Sequence, residues 1–229
     1  MRTLQEHIRI SAVIPALDAA ETLPPVLAAL AAAERVAEII VVDGGSRDAT
    51  AAVAGAAGAI VIAAPRGRGP QLAAGADAAG GDWLWFVHAD CRPLPGWEKA
   101  VADFIAGGGD RAGYFRLALD DPAPAARRLE RIVGWRCRVF ALPYGDQGLL
   151  ISRALYDAVG GYRAMPLMED VDLARRLGRR RLRPIEATML ASARRYRRGG
   201  YWRRPLRNLF CLALYFAGVA PRTIAKLYG

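Results

Sequence analysis

WLWFVHADCRPLPGW, residues 83–97, decides the fold. Five apolar or aromatic residues run into His88, Ala89 and Asp90, and the chain then turns at Pro93 and Pro95. A short, continuously apolar run suits a strand buried on both faces of a parallel sheet. Its polar end would then fall beyond the carboxyl end of a strand, where open α/β sheets keep their ligands. A loop that merely needed polar residues would give the same string, so the rest of the chain has to separate the two.

The flanking sequence repeats the pattern. IRISAVIPAL (8–17) reads as a strand ending at Pro15, and Ala19–Ala33 as a helix entered through Asp18 as its cap. AEIIVVDGG (37–45) reads as a strand, SRDATAAVAGAAG (46–58) as a helix, AIVIAA (59–64) as a strand and GPQLAAGADAA (69–79) as a helix. WLWFVHAD is then the fourth strand. Strands alternating with helices argue for an α/β fold with a mostly parallel, mixed central sheet flanked by helices. After residue 110 the pattern changes. GYFRLAL (113–119) alternates and reads as a strand nearer an edge. A helix over about 123–140, a turn and short strand over 144–153, and a helix over 169–180 follow.

Composition sets bounds. The chain has 229 residues, 53% of them hydrophobic, enough for one sizeable core. The net charge is +10, and 30 of the 32 basic residues are Arg, whose planar fork suits phosphate oxygens. Cys91, Cys137 and Cys211 are odd in number and far apart, which suits a reducing, cytoplasmic setting and no disulfide framework. The N-terminal stretch does not read as a signal peptide. The longest apolar run, LFCLALYFAGVA (209–220), makes ~18 Å of helix, short of the ~30 Å hydrocarbon core.

Acidic residues mark strand ends and turns: Asp18, Asp43, Asp90 and Asp146, with Glu169 and Asp170 opening a helix. Each alone could be a turn former or a cap. Asp18, Asp43 and Asp90 follow three strands of one sheet, so they would share an edge, and carboxylates beside arginines can hold a hard cation and a phosphate together. A dehydrogenase-type dinucleotide site fits poorly, because the first strand exits into PALDAAETL without glycine, and in PRGRGPQL (65–72) Leu72 stands where the third glycine should be. No P-loop is present.

Taken in order, VIPALDAAETL, VVDGGSRDAT, RGRGPQLAAGA, WFVHAD and MEDVDLARRL resemble the motifs of family 2 inverting glycosyltransferases of the GT-A fold, over roughly residues 8–180. HAD in place of D-x-D, with PYGDQG and ARRYRRGGYW, is most similar to the radical-SAM/selenodomain-associated subgroup, some members of which are assigned to arsenosugar biosynthesis. The resemblance implies a GT-A catalytic domain over residues 1–190, with 191–229 a basic and apolar helical extension that is no independent domain. It implies transfer of one sugar from a nucleoside-diphosphate donor, with a UDP-sugar expected, to a small or lipid-like hydroxyl acceptor. Pro15, Ala16, Asp18, Asp43, Arg68, Gln71, His88, Ala89 and Asp90 would bind the nucleotide sugar, with Asp43 on the base edge and Arg68 at the diphosphate. Asp90 and His88 would hold Mn²⁺ or Mg²⁺. Asp170 would be the general base, with Glu169 raising its pKa. Asp146, Gln147 and Arg195 would serve the acceptor or a lid.

The chain departs from the pattern in two places. His88 brings no negative charge where relatives have a carboxylate, and Asp18-Ala19 stands where many show Asn-Glu. The Q-x-x-R-W signature of processive synthases is missing, so a single transfer is expected. Seven arginines and three aromatics lie between Arg194 and Arg207. That tail reads first as a helix packed on the sheet or on a second subunit of a homodimer, next as a surface for anionic lipid at the inner face of a membrane, and then as a lid. Two other functions compete. A sugar nucleotidyltransferase would want a glycine-rich loop after the first strand, and a basic nucleic-acid-binding protein would leave the ordered acidic strand ends without a purpose; no nucleic acid is expected as a partner.

Overall fold

The computed structural model describes residues 8–228. Four parallel strands come first: β1 (Ile10–Ala16), β2 (Val36–Asp43), β3 (Ile60–Ala63) and β4 (Trp83–Phe86). Helices α1 (Leu23–Ala31), α2 (Thr50–Ala56) and α3 (Arg68–Ala78) connect them. A short β5 (Cys91–Pro93), α4 (Trp97–Ala106), β6 (Ala112–Leu119) and the long α5 (Pro124–Phe140) follow. A single 3₁₀ turn (Gly145–Gln147) leads into β7 (Leu149–Ser152), α6 (Arg153–Ala158), α7 (Glu169–Leu177) and β8 (Leu182–Ala191). The chain ends in α8 (Arg194–Gly199), α9 (Arg203–Phe216) and α10 (Pro221–Tyr228).

The eight strands form one mixed sheet in the order β3-β2-β1-β4-β7-β6-β8-β5. β7 runs against β4 and β6, and β5 runs against β8; the other neighbouring pairs are parallel. β2, β1 and β4 are therefore adjacent and co-directional, and their carboxyl ends share one edge as the sequence predicts. All four residues of β4 are buried. Trp85 sits between Trp97 (ring centroids 4.7 Å apart) and Phe115 (5.1 Å) and ties both halves of the sheet into one core. α3 lies close on β1 and β2 because Gly75 carries no side chain: a Cβ there would come 2.8 Å from Val42 Cγ2 and closer still to Val13.

Several expectations are corrected. Asp18 caps no helix: its φ is +48°, the next helix starts five residues later, and Pro24 and Pro25 occupy its opening positions. The Asp18 carboxylate instead accepts from Arg47 N (2.8 Å). The second helix starts at Thr50, because Asp48 accepts from Thr50 N (2.9 Å) and from Ala20 N (3.0 Å), holding residues 46–49 as a turn. β6 is an inner strand between β7 and β8, and only the exposed Arg116 and the half-buried Ala118 interrupt a buried run. α7 stops at Leu177, where Gly178 takes φ +72°. β5, β8, α4 and α6 lie outside the sequence-based expectations.

Candidate active site

Two lobes of one cleft open along the shared sheet edge. The outer lobe, about 1820 Å³ and open to solvent, is walled by the β1 exit (Pro15, Ala16, Asp18), the α3 entry and Ala89. The inner lobe is walled by Tyr144, Gly145, Asp146 and the α7 start. Arg68, His88, Asp90 and Arg195 line both lobes and mark the place where they meet. The polar end of β4 therefore sits at the junction of the cleft.

Backbone geometry sets these side chains. Val87 N still donates to Val13 O (3.0 Å), after which the chain turns through His88–Cys91, closed by Cys91 N to His88 O (3.0 Å). Ser192 N donates to Asp90 O (3.0 Å) and brings the end of β8 onto the same turn. The PYGDQG segment is the second support. Gly145 must lack a side chain, because a Cβ there would lie 2.7 Å from His88 Cε1 and closer to Nε2. Gly145 N donates to Asp170 Oδ2 (3.0 Å), so this one residue touches both the β4 exit and the α7 start. Gln147 holds the turn in place: it donates to Phe115 O (3.0 Å) and accepts from Arg136 (3.1 Å) and Tyr144 N (3.3 Å).

Electrostatics distinguishes the acids. Burial, with Arg68 nearby, pushes the His88 imidazole down to about 3 although Asp90 pulls the other way, so it is neutral with a lone pair to offer. Burial works to raise the Asp90 carboxyl, but His88, Arg195 and Arg68 outweigh it and leave the group below its ordinary value. Arg195 stands 3.9 Å from Asp90. Burial, with the charge of Asp170, pushes Glu169 up to about 7, and its Oε2 is buried without a hydrogen-bond partner. Asp146 is half-buried, with Oδ1 sealed and unpartnered. Burial raises its pKa, Arg136 pulls it back, and Asp170 and Asp90 add to the rise. Asp170 is fixed by two backbone N–H groups, Gly145 N and Val171 N (2.7 Å).

A cluster of metal-ligand types lies at the junction. Ligand atoms of His88, Asp90 and Cys91 fall within 4.8 Å of one another. A carboxylate oxygen and a neutral imidazole nitrogen fit a divalent ion such as Mn²⁺ or Mg²⁺. The Cys91 thiol is pushed well above its usual range by burial and by Asp90, so it stays protonated and is the poorest of the three donors.

Not every expected residue reaches the cleft. Asp43 lines neither lobe; its carboxylate accepts from Gly45 N (3.2 Å), Ser46 N (3.1 Å) and the Ser46 hydroxyl. Gln147 is buried behind the wall rather than on it. Gln71 borders the outer lobe, but its amide nitrogen is spent on Ala16 O (2.8 Å) and Val42 O (2.7 Å), clamping β1 to β2. Asp172 is structural, ion-paired to Arg176 (2.6 Å) and Arg163 (3.3 Å). Sequence reasoning missed Tyr144, Ser192, Arg204 and Asn208 on the inner wall. Arg204 and Asn208 carried a signal: a polar pair four residues apart, on one face of a helix that turns apolar after its first half.

The tail packs on the catalytic unit and also walls the cleft. Cys211 and Ile224 are buried, Tyr201 donates to Asp121 (2.7 Å), and Arg194 pairs with Glu21. The three cysteines are free and buried. Among the described residues no helix is long and apolar enough to cross a membrane.

The comparisons with known proteins agree with this geometry. Glucosyl-3-phosphoglycerate synthase from Mycobacterium tuberculosis, solved with Mn²⁺, UDP and glucosyl-3-phosphoglycerate, superposes with a TM-score of 0.61 at 22% identity, over 80% of this chain and 71% of that one. The same synthase with Mg²⁺ and UDP gives the same values. A second structure, described only as a mycobacterial protein, gives 0.58 at 24% identity, over 82% of this chain and 66% of that one. At these identities the likeness shows the GT-A fold. No curated protein matches the chain. The family model described as glycosyl transferase family 2 matches residues 11–166, more than half of the chain, and the chain is thus a glycosyltransferase of family 2.

Proposed function

We propose that this enzyme transfers one sugar from a nucleoside-diphosphate donor, a UDP-sugar, to a hydroxyl acceptor with inversion. The observation that carries the reading is the junction: Arg68, His88, Asp90 and Arg195 stand between an open outer lobe and an inner lobe that ends on Glu169 and Asp170. The outer lobe takes the nucleotide, with Pro15, Ala16 and Asp18 along its wall. Arg68 and Arg195 meet the diphosphate oxygens. His88 and Asp90 hold a divalent ion, Mn²⁺ or Mg²⁺, the ions bound with UDP in the mycobacterial synthase. When bound, such an ion neutralises charge that builds on the leaving diphosphate.

The acceptor hydroxyl enters the inner lobe and attacks from the side opposite the diphosphate. Asp170 takes its proton. The two backbone N–H groups on its oxygens fix the carboxylate, and each oxygen keeps a further lone pair for the hydroxyl. One observation favours a second assignment: the unpartnered Oε2 of Glu169, with a pKa near 7, is also suited to a base. Paired variants separate the two. With Asp170 as base, Asp170→Asn loses ~10²–10⁴-fold in turnover, the usual worth of a general base, while UDP affinity holds. If Glu169→Gln is the dead variant and Asp170→Asn the active one, the roles are exchanged. Inversion is read from the anomeric configuration of the product by NMR. HAD, PYGDQG and ARRYRRGGYW place the chain, in our reading, in the radical-SAM/selenodomain-associated subgroup.

A further inference from the structure

Two helices carry an unpartnered apolar face; α9 lines the inner lobe, and α5 supports its wall through Arg136. On α9 the exposed side chains are Leu206, Leu209, Phe210 and Phe216, with Trp202 just before the helix; all are more than half exposed. Trp202, Leu206, Leu209 and Phe216 recur at four, three and seven residues, which puts them on one side of the helix with Phe210 beside them. On α5 Ile132, Trp135 and Phe140 are likewise more than half exposed and Val139 is partly so, with Trp135 and Phe140 packed edge to face at 5.4 Å. The five aromatics alone expose on the order of 500 Å², since each offers ~150–250 Å² in full and about half is uncovered. Apolar surface gathered on helix faces in this amount marks an interaction surface more often than a chance exposure.

The far ends of the two helices both reach the C-terminal part of α7 and the turn after it. Arg179 donates to the carbonyls of Val139 (2.6 Å) and Arg138 (3.0 Å) at the end of α5. Arg175, four residues earlier, lies over the rings of Tyr215 (5.6 Å) and Phe216 (5.1 Å) at the end of α9. α9 also supplies Arg204 and Asn208 to the inner lobe, and Arg136 of α5 lies 3.5 Å over the ring of Tyr144 on its wall. α9 thus walls the inner lobe, and α5 backs that wall. The borders of the apolar faces are basic. From residue 194 to the end the chain has eight arginines, one lysine and no acid, and α5 has five arginines to one glutamate.

We propose that α5 and α9 together form a docking surface for an anionic lipid bilayer. Exposed Trp, Leu and Phe on one face with arginines around them is the pattern of a helix lying in the headgroup region, where the rings enter the acyl boundary and the guanidinium groups meet phosphate. A second copy of the chain would place this dense positive charge against itself, which an anionic surface does not. Docking sets the inner lobe at the bilayer, so the acceptor of the proposed transfer is lipid-linked; this last step rests on that transfer reading. Vesicle binding needs neither donor nor turnover, so the two can fail separately.

The test uses the whole chain and vesicles of phosphatidylcholine alone, or of two parts phosphatidylcholine to one part phosphatidylglycerol. Trp83, Trp85 and Trp97 are buried, so quenching by brominated acyl chains reports Trp135 and Trp202 alone. Expected is sedimentation with the anionic vesicles only, weakened by salt, together with quenching of tryptophan emission. The α9 variant Leu206→Ser/Leu209→Ser/Phe210→Ser and the α5 variant Ile132→Ser/Phe140→Ser should each reduce sedimentation ~10-fold or more. These side chains are exposed and outside the cleft, so UDP binding should be unchanged. The proposal is overturned if the wild type stays in the supernatant. It is equally overturned if both variants bind vesicles as the wild type does, or if centrifugation shows a dimer that the variants abolish and vesicles do not compete with.

Discussion

Glu169 gives a prediction whose size follows from its surroundings. It is 3% exposed, its Oε2 has no partner, and burial with the Asp170 charge raises its carboxyl from 4.5 to about 7. A carboxyl raised in the folded state binds more protons there than in the unfolded chain. Stability is therefore fully present below pH 4.5, falls as pH rises from 4.5 to about 7, and stays low above it. The cost at the plateau is about 3 kcal/mol, from 2.5 pH units at about 1.4 kcal/mol each. Glu169→Gln keeps the shape and removes the titration. Its stability relative to the wild type, from urea unfolding monitored by circular dichroism, should rise by roughly 2–3 kcal/mol between pH 5 and pH 8.5. A difference that stays flat across this range refutes the reasoning: Glu169 would then ionise as freely in the folded chain as in the unfolded one.

Gly145→Ala should leave the fold intact but displace the His88 imidazole, so Mn²⁺ affinity followed by electron paramagnetic resonance should fall ~10-fold or more while the circular dichroism spectrum is kept. Asp43→Ala should weaken UDP, GDP and CDP alike in calorimetric titrations, because its oxygens serve Gly45 and Ser46; a loss confined to UDP would assign it to the base. Gln147→Ala should destabilise the chain by ~1–3 kcal/mol, since Phe115 O and the Arg136 guanidinium each lose a buried partner, and thermal unfolding measures this.

Much of the first half was legible. The runs at 8–17, 37–45, 59–64 and 83–90 are apolar because both faces of a parallel strand are covered, and that signal needs no partner to be read. The second half resisted for identifiable reasons. β8 contains Pro184 and two charged residues, so it reads as a loop, yet the neighbouring β6 covers it. β5 is three residues long and exists only because β8 receives it. α4 was readable from Trp97, Val101 and Ile105 at spacing four, after Gly96 with φ +90°. Within the site, sequence gave the residue types but not their direction. Asp43 and Gln147 have the right chemistry and turn it inward to hold a loop, whereas Asp90 and Glu169 turn theirs to the cleft. The ordering of α9 on the inner lobe depends on tertiary packing around Cys211 and Tyr215, which no local pattern announces.

The central claim is that the β4 exit is the reacting junction of a glycosyltransferase. It is tested most directly by UDP release from a panel of UDP-sugars, followed with Mn²⁺ present and absent, for the wild type and Asp90→Ala side by side. The wild type should release UDP from at least one donor in a Mn²⁺-dependent manner, and Asp90→Ala should lose that dependence and at least ~10²-fold in rate, with an unchanged circular dichroism spectrum. Equal, Mn²⁺-dependent release by both proteins would contradict the account.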